Sequence, residues 1–270
     1  NIHDTTSFAR NSRRLVEAET GIRNVRWSGN SQRLSYNADL TTAGVYQALA
    51  INVDGRGNTR VTDNGWINSD ARWSPDSSEL AYLDHPSVAF PADLVVSSGI
   101  GGATDRVLAF LSPNNREVRE FAWSPDGSSI AYVANAETDN VYELYVVPAD
   151  GSGPGVKISQ PLMPNTDVLE FAWSPDGQQI AYTADQVTDT VRDLYVVSRN
   201  GSGRVHLSAG LGAEEVKEFD WSNDGQRVRF STGPQSRTVV ADRIYAISPS
   251  GSNRVQVTNG MLDGPLFFSK

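Results

Sequence analysis

Five tryptophans recur along the chain, and the residue three places before each could ligate a cation or repel its neighbours. These are Asn24 before Trp27, Asp70 before Trp73, Glu120 before Trp123, Glu170 before Trp173 and Glu218 before Trp221. Carboxylates at one fixed step of a repeat would repel one another if the chain gathers its repeats around a common axis. A bound cation relieves that repulsion, and hard oxygen ligands select Ca²⁺ or Mg²⁺. Arg23, Arg119 and Lys217, each one residue earlier in its repeat, offer the alternative of neutralisation by a bridging base. Asp70, Glu120, Glu170 and Glu218 are therefore the candidate metal ligands, set against pairing with Arg or Lys.

Other chemistry has little to stand on. The sequence contains no G-x-S-x-G, no H-E-x-x-H and no G-x-x-x-x-G-K-[ST]. It contains no cysteine, which removes disulfides, thiolate metal sites and cysteine nucleophiles together. Of the three histidines, His3 lies near the start and His85 precedes Pro86. His206 takes a position held by Lys157 and Gln256 in other repeats, which predicts a solvent-facing residue. General-base work needs a positioned partner, and the pattern supplies none, so no enzyme activity is expected of this chain. The net charge of −9 repels phosphate backbones and anionic lipid. Nucleic acid is excluded as a first expectation, and no apolar run approaches the roughly 18 residues that cross a bilayer.

The elements that must position these side chains are set by the repeat itself. Successive tryptophans of RWSGN, RWSPD, FAWSPDG, FAWSPDG and FDWSNDG are 46, 50, 50 and 48 residues apart. In the third repeat, Val118 to Ser124 reads as a strand A, and Pro125, Asp126 and Gly127 form a tight reversal. Strand B comes next at Ser129 to Ala134 and strand C at Glu143 to Pro148. The Asp150 to Gly153 cluster then turns the chain into strand D at Val156 to Ser159. The fourth repeat copies this nearly residue for residue, with SPDG at 174–177, IAY at 180–182 and LYVV at 194–197. Four short strands per repeat and no helical period predict an all-β, six-bladed β-propeller of four-stranded antiparallel blades. One domain over 1–270 is expected, with blades near 22–63, 66–110, 117–160, 167–210 and 216–259. The closing blade is assembled from 1–20 and 261–270. In it, Ser7 to Ala18 resembles a strand C, turn and strand D, while Asp263 to Lys270 resembles a strand A with Phe268 in the tryptophan position. The repeated tryptophans themselves read as packing between blades.

The WSPDG turn, the IAY strand and the LYV strand resemble those of the TolB-like propellers over nearly the whole chain. TolB serves the periplasmic Tol–Pal envelope system, and propellers of this class also cap serine peptidases. The resemblance implies a periplasmic or extracellular location and a protein-binding platform for a protein or cell-envelope partner. The alternative it implies is an accessory propeller of a larger, peptidase-like enzyme, or a propeller that binds a small ligand or cation. The loops from strand D to the next strand A open on the mouth that carries the carboxylates. Their apolar residues Trp66, Ile67, Leu162, Met163 and Leu211 are the candidate partner contacts, or else staples tucked between blades.

Overall fold

The computed structural model describes residues 2–3, 14–16, 21–39, 45–62, 71–85, 92–97, 105–111, 116–162, 164–186, 190–212, 214–234 and 243–258. Two short strands come first, β1 (Ile2–His3) and β2 (Arg14–Val16), paired antiparallel with Ile2 opposite Val16. The repeat pattern does not predict this pairing with Ile2–His3. The expected strand C at the start of the 7–18 run lies outside the described residues.

Each tryptophan repeat then folds as one four-stranded sheet whose strands follow in chain order. The first holds β3 (Ile22–Trp27), β4 (Arg33–Asp39), β5 (Tyr46–Asn52) and β6 (Thr59–Arg60). The second holds β7 (Arg72–Trp73), β8 (Leu80–Asp84), β9 (Asp93–Ser97) and β10 (Arg106–Ala109). The third holds β11 (Val118–Trp123), β12 (Ser129–Ala134), β13 (Glu143–Pro148) and β14 (Val156–Lys157). The fourth holds β15 (Val168–Trp173), β16 (Gln179–Ala184), β17 (Asp193–Ser198) and β18 (Val205–His206). The fifth holds β19 (Glu214–Trp221), β20 (Val228–Pro234), β21 (Arg243–Ile247) and β22 (Val255–Gln256).

By internal contacts the chain forms two compact units. One comprises Asn1–Trp123, Gly127–Tyr132 and Val147–Gly155, and the other comprises Ser124–Asp126, Val133–Val146 and Val156–Lys270.

Within each unit the core lies between consecutive sheets. Ala48, Ala50 and Val61 of the first sheet and its outgoing segment meet Leu80, Tyr82 and Val95 of the second, with Trp73 packed alongside. Leu194, Val196 and Leu207 of the fourth repeat meet Val228, Phe230 and Tyr245 of the fifth. The middle strands are consequently buried on both faces, which is why β12 reads SIAYVA and β17 reads DLYVVS rather than alternating apolar with polar.

The turn after strand A repeats the same bonds. A serine hydroxyl donates to the Asp carboxylate two residues on, at 2.6 Å for Ser74–Asp76, 2.5 Å for Ser124–Asp126, and 2.6 Å for both Ser174–Asp176 and Ser222–Asp224. Those serine bonds, reinforced by backbone amides, hold Asp76, Asp176 and Asp224 below the ordinary carboxylate range. The turn also stacks. A Cβ on Gly127 would lie 3.5 Å from Cδ of Pro75, one on Gly177 3.4 Å from Pro125, and one on Gly225 3.5 Å from Pro175. In each case the turn glycine of one sheet rests on the turn proline of the sheet before. Each of these three glycines also has a positive φ, so a side chain there would be strained as well as crowded.

A second bond links the strands A of successive sheets. Trp123 Nε1 donates to the Arg72 carbonyl at 3.0 Å, and Trp221 Nε1 to the Ala172 carbonyl at 3.1 Å. Trp27 in the first sheet is 44% exposed, and its indole has no such bond among the described residues. The packing role expected of the tryptophans is thus seen at Trp73, Trp123 and Trp221 and not at Trp27.

The strand B tyrosine reaches across strand C to the residue just before strand D. Tyr36 donates to Asn58 Oδ1 at 2.7 Å and Tyr82 to Asp105 Oδ2 at 2.7 Å. In the third sheet the matching residue is Gly155, where a Cβ would sit 2.1 Å from the Tyr132 hydroxyl oxygen.

Candidate functional site

Strand A carries the carboxylates, and the backbone explains part of their recurrence. The register of β15 on β16 shifts between Val168 and Glu170, and that of β19 on β20 between Val216 and Glu218. In β3 the shift falls between Arg23 and Arg26, spanning Asn24, which has a φ of 56°. In these three repeats the step before tryptophan adjoins a β-bulge; in the fourth and fifth the extra residue is Leu169 or Lys217, and Glu170 and Glu218 stay opposite Thr183 and Ser231. Glu120 is half-buried, whereas Glu170 and Glu218 are exposed. Arg192 Nη1 lies 3.9 Å from Glu170 Oε1. Around Glu218, Arg229 is held above its ordinary range first by its hydrogen bond to Asp220, with Glu218 adding to the effect. Lys217 pairs with Glu215. Among the described residues no three His, Cys, Asp or Glu side chains come together as a metal ion would need. Asp70 lies outside the described residues.

His206 is placed differently from the expectation. It does not simply face solvent: its ring stacks on Tyr195 with centroids 4.6 Å apart, and its Nε2 lies 3.1 Å from Asp193 Oδ1. The same nitrogen is 3.1 Å from Ser208 Oγ, and Ser208 Oγ donates to Asp193 Oδ1 at 2.8 Å. A nucleophilic triad needs the imidazole between hydroxyl and carboxylate, one ring nitrogen to each. Here one nitrogen faces both, and the hydroxyl proton already points at the carboxylate.

The cluster has a structural origin that recurs in the other sheets. Ser208 Oγ accepts from the Leu194 amide at 3.0 Å. Ser159 does the same for Leu144 at 3.1 Å, Thr62 for Ala48 at 3.2 Å, and Thr258 for Ile244 at 3.1 Å. A hydroxyl thus takes over the ladder where strand D stops. In the third sheet Lys157 and Glu143 stand where His206 and Asp193 stand in the fourth, 3.2 Å apart. Burial pushes the Asp193 carboxyl up, but the bonds from His206 and Ser208 outweigh it and leave it below the ordinary range.

The loops from strand D to strand A give a mixed picture. Leu211 is partly buried and packs against the core between the fourth and fifth sheets. Leu162 is half-buried, and its amide donates to Glu143 Oε1 at 3.2 Å. Trp66, Ile67 and Met163 lie outside the described residues. Sequence reasoning passed over Phe110, which is 65% exposed just after β10, with Val107 53% exposed within it. The signal was available, since Phe110 and Leu111 precede Ser112 and Pro113 much as Leu162 and Met163 precede Pro164.

The family described as the lipoprotein LpqB β-propeller domain matches residues 94–230, half of the chain. A comparison with curated proteins finds no match. Among solved structures, putative TolB from Agrobacterium tumefaciens is 20% identical with a TM-score of 0.55, covering 93% of this chain and 86% of its own. Oligogalacturonate lyase from Vibrio parahaemolyticus is 14% identical with a TM-score of 0.62, covering 90% and 68%. A puromycin-hydrolysing peptidase of Mycobacterium tuberculosis is 13% identical with a TM-score of 0.60, covering 91% of this chain but only 39% of the peptidase. At such identities the likeness is one of fold. Five tryptophan-keyed sheets of four antiparallel strands, matched across their centre by a propeller family, place the chain in the family of the lipoprotein LpqB β-propeller domain.

Proposed function

We propose that this chain is a non-catalytic, protein-binding propeller of the bacterial envelope or secreted space, with its partner seated on the strand D to strand A loops. The observation that carries the reading is Phe110, an aromatic 65% exposed just after β10, the edge strand that carries the exposed Val107. Burying such a ring against a partner is worth about 2 kcal/mol, so it is a natural anchor. Trp66, Ile67, Leu162 and Met163, on other strand D to strand A loops of the sequence, are further candidate contacts, while Leu211 holds its loop to the core. The lipoprotein family supports the envelope location. A sixth blade closed from both termini is part of the proposal, supported by the exposed indole of Trp27, which stands where later tryptophans meet a preceding sheet.

The test is site-specific photocrosslinking in the full natural protein, with the probe placed at Phe110 and, as a control, at Val156 on the outer strand of the third sheet. One defined adduct from Phe110 and none from Val156 is the expected result. No adduct from any loop position, with lyase or peptidase turnover by the natural protein, would favour an accessory propeller of an enzyme. That second reading is supported by the lyase and peptidase structures that share the fold.

The carboxylates Asp70, Glu120, Glu170 and Glu218 carry a separate proposal, a Ca²⁺ or Mg²⁺ site. The approach of Arg192 to Glu170 favours its competitor, neutralisation by arginine.

A further inference from the structure

The proline and glycine stack that joins successive turns is replaced between the first and second sheets. Gly29 stands where the proline would be and Ser77 where the glycine would be, and the Asn30 amide donates to Ser77 Oγ at 3.1 Å instead. Without the pyrrolidine ring the turns enclose a cavity of about 500 Å³. Three turns wall it: residues 30–33, residues 52–54, and residues 76–78 of the second sheet. That is the size range of small-molecule sites, and all but one of the lining residues are polar, although their aliphatic parts supply nearly half of the exposed wall.

Its chemistry is mixed in a particular way. The guanidinium of Arg33, a half-buried residue, forms no hydrogen bond or ion pair with another described residue, nor does the Asn52 carboxamide. Asp76 Oδ1 accepts from Ser74 Oγ and the Ser78 amide, with Ser78 Oγ within 2.8 Å of both carboxylate oxygens, and Asp54 accepts from the Arg56 amide at 2.9 Å. Each carboxylate keeps lone pairs for a donor from the cavity. The Gln32 side chain completes the set, with Val53 the one apolar wall residue.

We propose that this cavity binds a neutral carbohydrate of one or two hexose units. An anion could satisfy Arg33, but it would face two carboxylates in a chain of net charge −9. A cation would bring only donors, leaving the Arg33 and Asn52 N–H groups unmatched beside a like charge. A sugar hydroxyl both donates and accepts, so vicinal hydroxyls can bridge Asp54 or Asp76 on one side and Arg33 or Asn52 on the other. With no aromatic platform and an open mouth, the affinity is weak, in the millimolar range that a few hydrogen bonds support.

The experiment is saturation-transfer NMR with calorimetric titration, using glucose, galactose, N-acetylglucosamine, maltose and cellobiose as probes. Saturable binding of at least one sugar is expected. Arg33→Met and Asn52→Ala should each weaken it by roughly tenfold while leaving the melting temperature unchanged. No saturable signal from any sugar overturns the proposal. So does binding that survives both variants, which would place the sugar elsewhere, or displacement by sulfate or methylammonium, which would make the cavity an ion site.

Discussion

Replacing Gly155 by alanine tests the packing of the strand B tyrosines. The new methyl carbon would sit 2.1 Å from the Tyr132 hydroxyl oxygen, 3.1 Å from Cζ and 3.3 Å from Cε1. Non-bonded carbon contacts settle near 3.5–4.0 Å, so the ring must retreat by more than an ångström. It has nowhere to go, since Tyr132 is 4% exposed on a strand buried throughout. Overpacking of this kind costs about 1–3 kcal/mol, and the depth of the overlap argues for the upper end. Against this, alanine restricts the unfolded chain and returns only about 0.4–1 kcal/mol, so the clash wins. A net loss of about 2 kcal/mol lowers the melting temperature of a chain this size by roughly 4–8 °C. Tyr132→Phe removes the offending atom, so Gly155→Ala should cost about 1 kcal/mol or less in that background. The double-mutant cycle by chemical denaturation reads the coupling. Equal costs in the Tyr and Phe backgrounds would refute the packing account.

Alkaline stability depends on the same tyrosine: burial pushes Tyr132 up to about 12 from 10.0, so the fold keeps its phenol neutral while the unfolded chain ionises. The contribution is complete below pH 10 and is lost as pH rises towards 12, about 3 kcal/mol in all, and melting curves of Tyr132→Phe should show a shallower decline across that window. Ser208→Ala leaves the Leu194 amide without its acceptor and takes a donor from Asp193, and should cost about 1–3 kcal/mol in urea denaturation; a neutral result would remove the hydroxyl from the ladder. Titrating chelator-treated protein with Ca²⁺ or Mg²⁺ should give neither heat nor thermal shift if arginine neutralises the strand A carboxylates, whereas a rise in melting temperature with ligand would establish the cation.

The repeat was legible because its signals are local. Pro, Asp and Gly at fixed offsets from tryptophan define the turn, and apolar runs between turn residues define four strands. Relations between strands were much less legible. The reach of Tyr132 to Gly155 spans about two strand spacings, roughly 10 Å, and needs the register of three strands at once. His206 went astray for a similar reason. Its place on strand D suggested solvent, while its ring contact with Tyr195 depends on those two residues being paired across β17 and β18. The acidic step before tryptophan was read as chemistry alone, since a bulge leaves no mark in residue type except at Asn24, whose left-handed backbone suits asparagine. Phe110 was missed because its repeat has diverged most in its loops, although its alignment with Leu162 was open to view.

The glycine on proline contact bears on how such a chain could have lengthened. Gly177 meets Pro125 in the same way that Gly225 meets Pro175, so the fourth repeat offers a proline to the fifth and a glycine to the third. A tandem copy of residues 167–216 would therefore arrive with matching joints at both ends, and each seam would already be chemically solved. Duplication of a gene segment would then need no compensating substitutions at the seams, and the near-identity of the third and fourth repeats is the trace such an event would leave.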